Sequence, residues 1–242
     1  MSVIRFAASA SLVLATVGAA GGTGGAQVPR QTAQEVRDAA KSDSSLRVII
    51  SVVRRTLWVV SRAADTLLTA PVAVGSERSL AYRGHRWTFR TPRGVHAVLA
   101  KEENPVWIPP DWHYVEVARR ERLSLVWLHG DTTIALSDGS TLVMRNMDVR
   151  IETDSTYEAF GTDQEIVVGK TLFVPPIGSP NRRVPGELGN YRLVLGEGVG
   201  IHGTPDASSV GHAVTHGCMR VHDADLSWLY EHVPLGTHVY IF

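Results

Sequence analysis

Thr215-His216-Gly217-Cys218-Met219-Arg220, preceded by Ile201-His202-Gly203-Thr204, is the stretch on which the reading of this chain turns. Twelve residues separate His202 from Thr215, and Cys218 is the only cysteine among 242 residues. A lone cysteine has no intramolecular disulfide partner. In an exported protein it points to intermolecular pairing or to a reactive thiol. Taken alone, a free cysteine is more often a small buried hydrophobe, but its neighbours shift that balance. His216 and Arg220 stand two positions away on either side, and both stabilise a thiolate. Gly217 opens backbone conformations closed to other residues, and a sharp turn there would aim N–H groups as an oxyanion hole. His202 is flanked by Gly203 and by the run Gly196-Glu197-Gly198-Val199-Gly200, which marks it as the candidate base among ten histidines. The pattern reads as a thiol nucleophile with its histidine.

A zinc site is the competing reading, because His202, His212, His216, His222 and Cys218 are all zinc-ligand types. His212 and His216 would share a face only on a helix. The segment between Gly211 and Gly217 has β-branched residues inside and glycine at both ends, a poor helix. There is no second cysteine. No metal and no other cofactor is expected.

Hydrophobic residues make up 44% of the chain, charged residues 20%, and the formal net charge is zero. These are ordinary values for a globular protein. No basic stripe suggests nucleic acid as a partner. The N-terminus differs. Arg5 precedes the apolar run Phe6–Ala20 and the small-residue stretch Gly21–Ala26, which together read as a secretory signal peptide over residues 1–26. The apolar run is shorter than the roughly 18–20 residues that a membrane span needs. Cleavage near Ala20 or Ala26 would leave no stable transmembrane segment. The expected location is the periplasm or cell envelope. Residues 27–45 are polar and read as a linker, with one helical turn at Gln34–Ala40.

From Leu46 onward short strands dominate. Val48–Val53, Leu57–Val60 and Thr66–Val74 are β-branched or apolar runs. Thr91-Pro92-Arg93-Gly94 is a turn leading into Val95–Leu99. Asn104–Pro110 is held extended by its prolines. Asp111 is a candidate cap for a helix over Trp112–Arg122. Asp138-Gly139 between Thr133–Leu136 and Thr141–Met144 is a hairpin signal. Ile166–Val168, Tyr191–Leu195, Gly200–His202 and His238–Phe242 read as further strands. Asp223 is a candidate cap for a helix whose Leu226, Leu229, Tyr230 and Val233 share one face. The fold class is mainly β with a few short helices.

The two quoted motifs resemble the signature of the L,D-transpeptidases, bacterial cell-wall enzymes of the YkuD type. Thr215 stands where that family more often has serine. Val48–Val60, Thr91-Pro92-Arg93-Gly94, Asn104–Pro110, Leu188–Leu193 and Pro234–Ile241 are similar to other family segments. The likeness covers Leu46–Pro110 and Arg182–Phe242. It fades over residues 111–181, which read as an enlarged insertion in a catalytic domain spanning 46–242. The resemblance implies a β-sandwich with the cysteine in a cleft. It implies Cys218 as nucleophile and His202 as base, oriented through the Gly203 carbonyl. His216 and the backbone of Gly217 and Cys218 would shape the oxyanion site, with Arg220 and Thr215 toward the substrate. The partners implied are peptidoglycan stem peptides, with carbapenem-type β-lactams as inhibitors. A Cys218 thioester would form with release of D-alanine, and an amine would then accept the acyl group. Water as acceptor would make an L,D-carboxypeptidase. A non-catalytic wall-binding module would need no thiol. A papain-like protease would place its cysteine before its histidine, the reverse of the order here.

Overall fold

The β-branched runs near the two ends of the described chain find each other in space. In the computed structural model, which describes residues 31–242 except 138, 154, 155, 162 and 163, the strand Arg47–Ser51 pairs parallel with the C-terminal strand His238–Ile241, Val48 opposite Val239 and Ile50 opposite Ile241. On its other side Arg47–Ser51 pairs antiparallel with Thr56–Val60. The sheet runs in the order Thr66–Pro71, Thr56–Val60, Arg47–Ser51, His238–Ile241, Gly94–Ala97. The signal-peptide reading falls on residues 1–26, outside the described residues.

A second sheet has the order Met219–Arg220, Val199–His202, Tyr191–Gly196, Ala100–Glu103. Side chains alternate across a strand, so each sheet offers one apolar face to the other. Val48, Ile50, Leu57, Val59, Val239 and Ile241 from the first sheet share a core with Leu193, Ile201 and Met219 from the second. Leu226, Leu229 and Val233 join this core. The first two lie on helix α3, counted third in the chain, over Asp223–His232, and Val233 caps its end. The fold is therefore mainly β, as its sequence pattern implies. The expected capping role of Asp223 is not realised. His222 occupies the cap without a side-chain bond, and Asp223 is already helical.

The stretch read as a linker contains a full helix, α1, over Ala33–Ser42. Its cause is local. Thr32 accepts from the Glu35 N–H, and the Glu35 carboxylate accepts from the Thr32 N–H, a reciprocal capping box. Val36 and Ala40, four apart and so on one face, are buried with Tyr240 of the C-terminal strand. Thr32-Ala33-Gln34-Glu35 carried this signal in the sequence.

Residues 111–181, read from the sequence as an insertion, carry hydrophobic clusters of their own. Helix α2 spans Asp111–Glu121. The strands Ser124–Trp127 and Thr171–Val174 pair in parallel, and Thr132–Ala135, Thr141–Arg145, Asp148–Glu152 and Tyr157–Ala159 form a meander. The expected hairpin is present between the first two of these, although its Asp138 lies outside the described residues. Leu142, Met144, Val149, Ile166 and Phe173 pack as one cluster, and Tyr114, Val117, Ala118, Leu172 and Val174 as another. Asp111 is the first helical residue and not the cap, which is Pro110. The Asp111 carboxylate is taken instead by Arg182, a fully buried cation. Arg182 also donates to the Pro109 carbonyl at 2.6 Å and the Pro175 carbonyl at 2.9 Å. One guanidinium thus ties the entry of the insertion to its exit. Among the described residues no helix is long and apolar enough to cross a membrane.

Candidate active site

The second sheet lines up the site by register. His202 lies opposite Arg220 on the parallel side and opposite Arg192 on the antiparallel side. Residues in register share a sheet face, so a neutral or charged ring at 202 sits between two guanidinium groups. Cys218 directly precedes the strand Met219–Arg220, level with Gly200, where a Cβ would lie 2.7 Å from the Leu193 carbonyl oxygen and 3.0 Å from Arg192 Nε.

His202 is buried, and its Nδ1 lies 2.6 Å from the Gly203 carbonyl oxygen. A carbonyl only accepts, so Nδ1 carries the hydrogen and Nε2 presents its lone pair. Burial pulls the ring's pKa down to about 4, against the upward pull of the Gly203 hydrogen bond, and Arg220 and Arg192 lower it further. The His202 ring is therefore neutral near pH 7. Gly203 is itself enclosed. Its carbonyl reaches the ring because nothing occupies the Cβ position, which would lie 2.8 Å from Asp223 Oδ1.

Cys218 is half-buried. Its Sγ–H donates to the Gly198 carbonyl at 3.5 Å. Burial pushes the thiol above its ordinary range, opposed by a Gly200 backbone bond and by the charges of Arg192 and Arg220. The sequence suggested the reverse, a thiol acidified by His216 and Arg220. Burial outweighs those charges here.

The turn before Cys218 is locked. Gly217 has φ of +140°, in the region that favours glycine. Its N–H donates to Thr215 Oγ1 at 3.2 Å, and that hydroxyl donates to the Cys218 carbonyl at 2.6 Å. The Gly217 carbonyl accepts from Thr91 Oγ1 at 3.0 Å, and Thr91 accepts from the Gly75 N–H at 2.8 Å. Thr215 was expected to face substrate. It is buried, and its hydroxyl is engaged inside the turn as both donor and acceptor, so it positions the turn. The Gly217 N–H, expected at the oxyanion site, is occupied in the same way.

His216 faces the insertion. Its Nε2–H donates to Glu116 Oε2 at 2.8 Å. Its ring stacks on Trp112 with centroids 3.8 Å apart and planes at 13°, and Phe89 meets it edge-on at 4.3 Å. Burial lowers its pKa while Glu116 raises it. Glu116 and Trp112 lie one turn apart on α2, the i, i+4 spacing that puts two side chains on one face. Sequence reasoning missed both, because their partner is 100 residues away.

Arg220 completes the row. Its Nε is buried without a hydrogen-bond partner. The half-buried Glu187 feels its charge, which opposes the upward push of burial on that carboxyl. The structure thus brings His202, Gly203, Cys218 and Arg220 together, with His216 propped from α2. His212 and His222, the other candidate zinc ligands, are exposed. Among the described residues no group of three or more His, Cys, Asp or Glu side chains converges as metal ligands would.

Comparison with known proteins gives a family-model match, described as the YkuD L,D-transpeptidase catalytic domain, over residues 45–241. A chain named "Probable L,D-transpeptidase ErfK/SrfK" from Salmonella typhimurium is 24% identical over 196 residues, 80% of this chain and 43% of its own length. This chain therefore spans less than half of that relative. Among solved structures, the L,D-transpeptidase from Xylanimonas cellulosilytica shares 16% identity with a TM-score of 0.43, covering 86% of this chain and 68% of its own. L,D-transpeptidase 3 from Mycobacterium tuberculosis in complex with a faropenem-derived adduct shares 15% identity with a TM-score of 0.42, covering 81% of this chain and 60% of its own. It is the family match, running from Ser45 through both sheets and residues 111–181 to Ile241, that decides the matter: this chain belongs to the YkuD family of L,D-transpeptidase catalytic domains.

Proposed function

We propose that this chain is an exported cysteine acyltransferase that acts on peptidoglycan tetrapeptide stems. The observation that carries the reading is His202: neutral, buried, fixed by the Gly203 carbonyl at 2.6 Å, and in register beside the strand that Cys218 opens. Such a ring is a general base with its lone pair already turned out.

The reaction runs in two halves. The Cys218 proton passes to His202 Nε2 as sulfur attacks the carbonyl carbon of the third stem residue. The resting thiol is bonded to Gly198 and held protonated by burial, so it leaves that carbonyl as substrate enters. Negative charge on the tetrahedral oxygen forms within the field of Arg192 and Arg220, where a preorganised cation is worth most. The C–N bond then breaks. The departing D-alanine amine takes the proton from His202, and a Cys218 thioester remains. An acceptor amine next attacks the thioester and gives its proton to His202, the new amide forms, and the thiol is restored. Splitting the transfer through a covalent intermediate is the usual gain of nucleophilic catalysis. The orphan Nε of Arg220 is a donor suited to a substrate carboxylate. His216 and the Cys218 backbone border the oxyanion side.

Mass spectrometry of the products from a diaminopimelate-containing disaccharide tetrapeptide tests the reading. A cross-linked dimer lacking one D-alanine is the expected product. A tripeptide would assign the chain as an L,D-carboxypeptidase on the same thioester. Unchanged substrate, together with no Cys218 adduct from a carbapenem, would overturn the enzymatic reading in favour of a wall-binding module. Cys218→Ala should abolish both turnover and adduct.

A further inference from the structure

Between α1 and the face of the first sheet turned away from the Cys218 sheet lies a cavity of about 370 Å³. Four cations line it: Arg37 and Lys41 from α1, Arg47 from the first strand, and Arg54 from the turn that follows that strand. Trp58 and Phe242 supply aromatic wall. No carboxylate belongs to the lining. In a chain of zero net charge, this is a local concentration of one sign.

Arg47 is the telling residue. It is 6% exposed, yet none of the ion pairs formed among the described residues involves it. Its Nη1 donates to the Ser45 and Ser61 carbonyls at 3.0 and 3.3 Å, which fixes the guanidinium plane. Its Nε is buried with no partner at all. A buried donor left unmade costs free energy, and a buried cation without a counter-charge costs more. Among the described residues, Arg37 and Arg54 likewise form no ion pair with a carboxylate, and of the four cations only Lys41 has one, Asp38 at 3.7 Å. Asp43, in the turn after α1, is engaged by Ser45, His238 and Tyr240. Arg37 already lies over the Phe242 ring at 4.7 Å, so a guanidinium and an apolar surface face the same space.

We propose that this cavity is a binding site for a phosphate ester carrying an apolar group. Guanidinium forks match phosphate oxygens two at a time. Arg47 would supply the fixed contact, Arg37, Lys41 and Arg54 the mobile rim, and Trp58 and Phe242 the seat for the apolar part. A soluble phosphorylated metabolite and an anionic lipid headgroup share this chemistry. The site is independent of the acyl-transfer reading, because it lies on the opposite side of the core.

Calorimetric titration of the full chain with phenyl phosphate tests it, with sedimentation alongside vesicles of phosphatidylglycerol in phosphatidylcholine and with pure phosphatidylcholine as control. Saturable binding of phenyl phosphate at one equivalent is expected, weakened about tenfold or more in Arg47→Met. Arg37→Gln and Arg54→Gln, both at exposed positions, should each weaken it several-fold, and they keep the test decisive if Arg47→Met does not fold. Binding of phenyl phosphate alone assigns a soluble ester. Co-sedimentation with the anionic vesicles as well, lost in the same variants, assigns a lipid headgroup. Either outcome supports the site. Absence of saturable binding, or binding undiminished in the arginine variants, overturns it.

Discussion

Replacing Gly203 by alanine isolates the contact that aims the candidate base. The added methyl would lie 2.8 Å from Asp223 Oδ1, 3.1 Å from Gly189 Cα and 3.2 Å from Leu226 Cδ2. The Asp223 carboxylate is the end of a side chain and can swing aside. Gly189 is backbone, and Leu226 is fully buried, so neither yields without moving its neighbours. Overpacking of this kind costs about 1–3 kcal/mol. For a domain of this size each kcal/mol lowers Tm by about 2–4 °C, which gives a fall of roughly 2–12 °C. The cheapest relief tilts the peptide after residue 203, and that peptide carries the carbonyl 2.6 Å from His202 Nδ1. Displacing a catalytic group by about 1 Å can cost about 10²-fold in rate. The assay is the rate of Cys218 acylation by a carbapenem, followed by intact mass, beside the melting curve of the same sample. A rate loss near 10²-fold with a lowered Tm is expected. A lowered Tm with an undiminished rate would refute the claim that the Gly203 carbonyl positions the base. An unchanged Tm would refute the packing argument.

Other outcomes follow from the same geometry. Alkylation of Cys218 by iodoacetamide should reach half its maximal rate above the ordinary thiol value of about 8.5, because burial raises this pKa; a midpoint below that value would contradict the burial argument. His202→Ala should slow acylation by about 10²–10⁴-fold, and equal losses in His212→Ala would point back to a metal. The His202 pKa is lowered by burial from 6.5 to about 4, so the unfolded chain takes up this proton first as pH falls. The stabilisation is whole above pH ~6.5 and is lost toward pH ~4, an effect of roughly 3 kcal/mol. Wild type should therefore lose more stability than His202→Gln between those limits in urea titrations, and parallel losses would sink the argument. Glu116→Gln should cost under about 1 kcal/mol of stability, since the pair is part-exposed, while slowing acylation several-fold through a loosened His216; an unchanged rate would make α2 a bystander.

Much of this site was legible in order along the chain. His202 ends one strand of the second sheet and Cys218 directly precedes its parallel neighbour, so two motifs close in sequence are brought side by side by register. The strands were equally legible, because alternation and β-branching act locally. What escaped depends on distance or on sign. Glu116 and Trp112 matter only because α2 folds back over His216. The thiol's rise in pKa comes from burial, which a run of neighbouring charges does not reveal. Asp111 looked like a cap, yet a buried arginine 71 residues later claims its carboxylate. The helix at Ala33–Ser42 is a different case, since Thr32 and Glu35 carried its capping box in plain view.

A thiol kept protonated is also a thiol spared. Peroxide oxidises the thiolate, and the first product, a sulfenic acid, is rescued most readily by a second cysteine. This chain has no second cysteine. With Sγ–H placed against the Gly198 carbonyl and burial favouring its protonated form, the resting thiol offers an oxidant little to attack. In the proposed reaction, reactivity would appear only while an acyl donor is bound and His202 takes the proton. The same burial that slows the resting sulfur would lengthen the working life of each molecule.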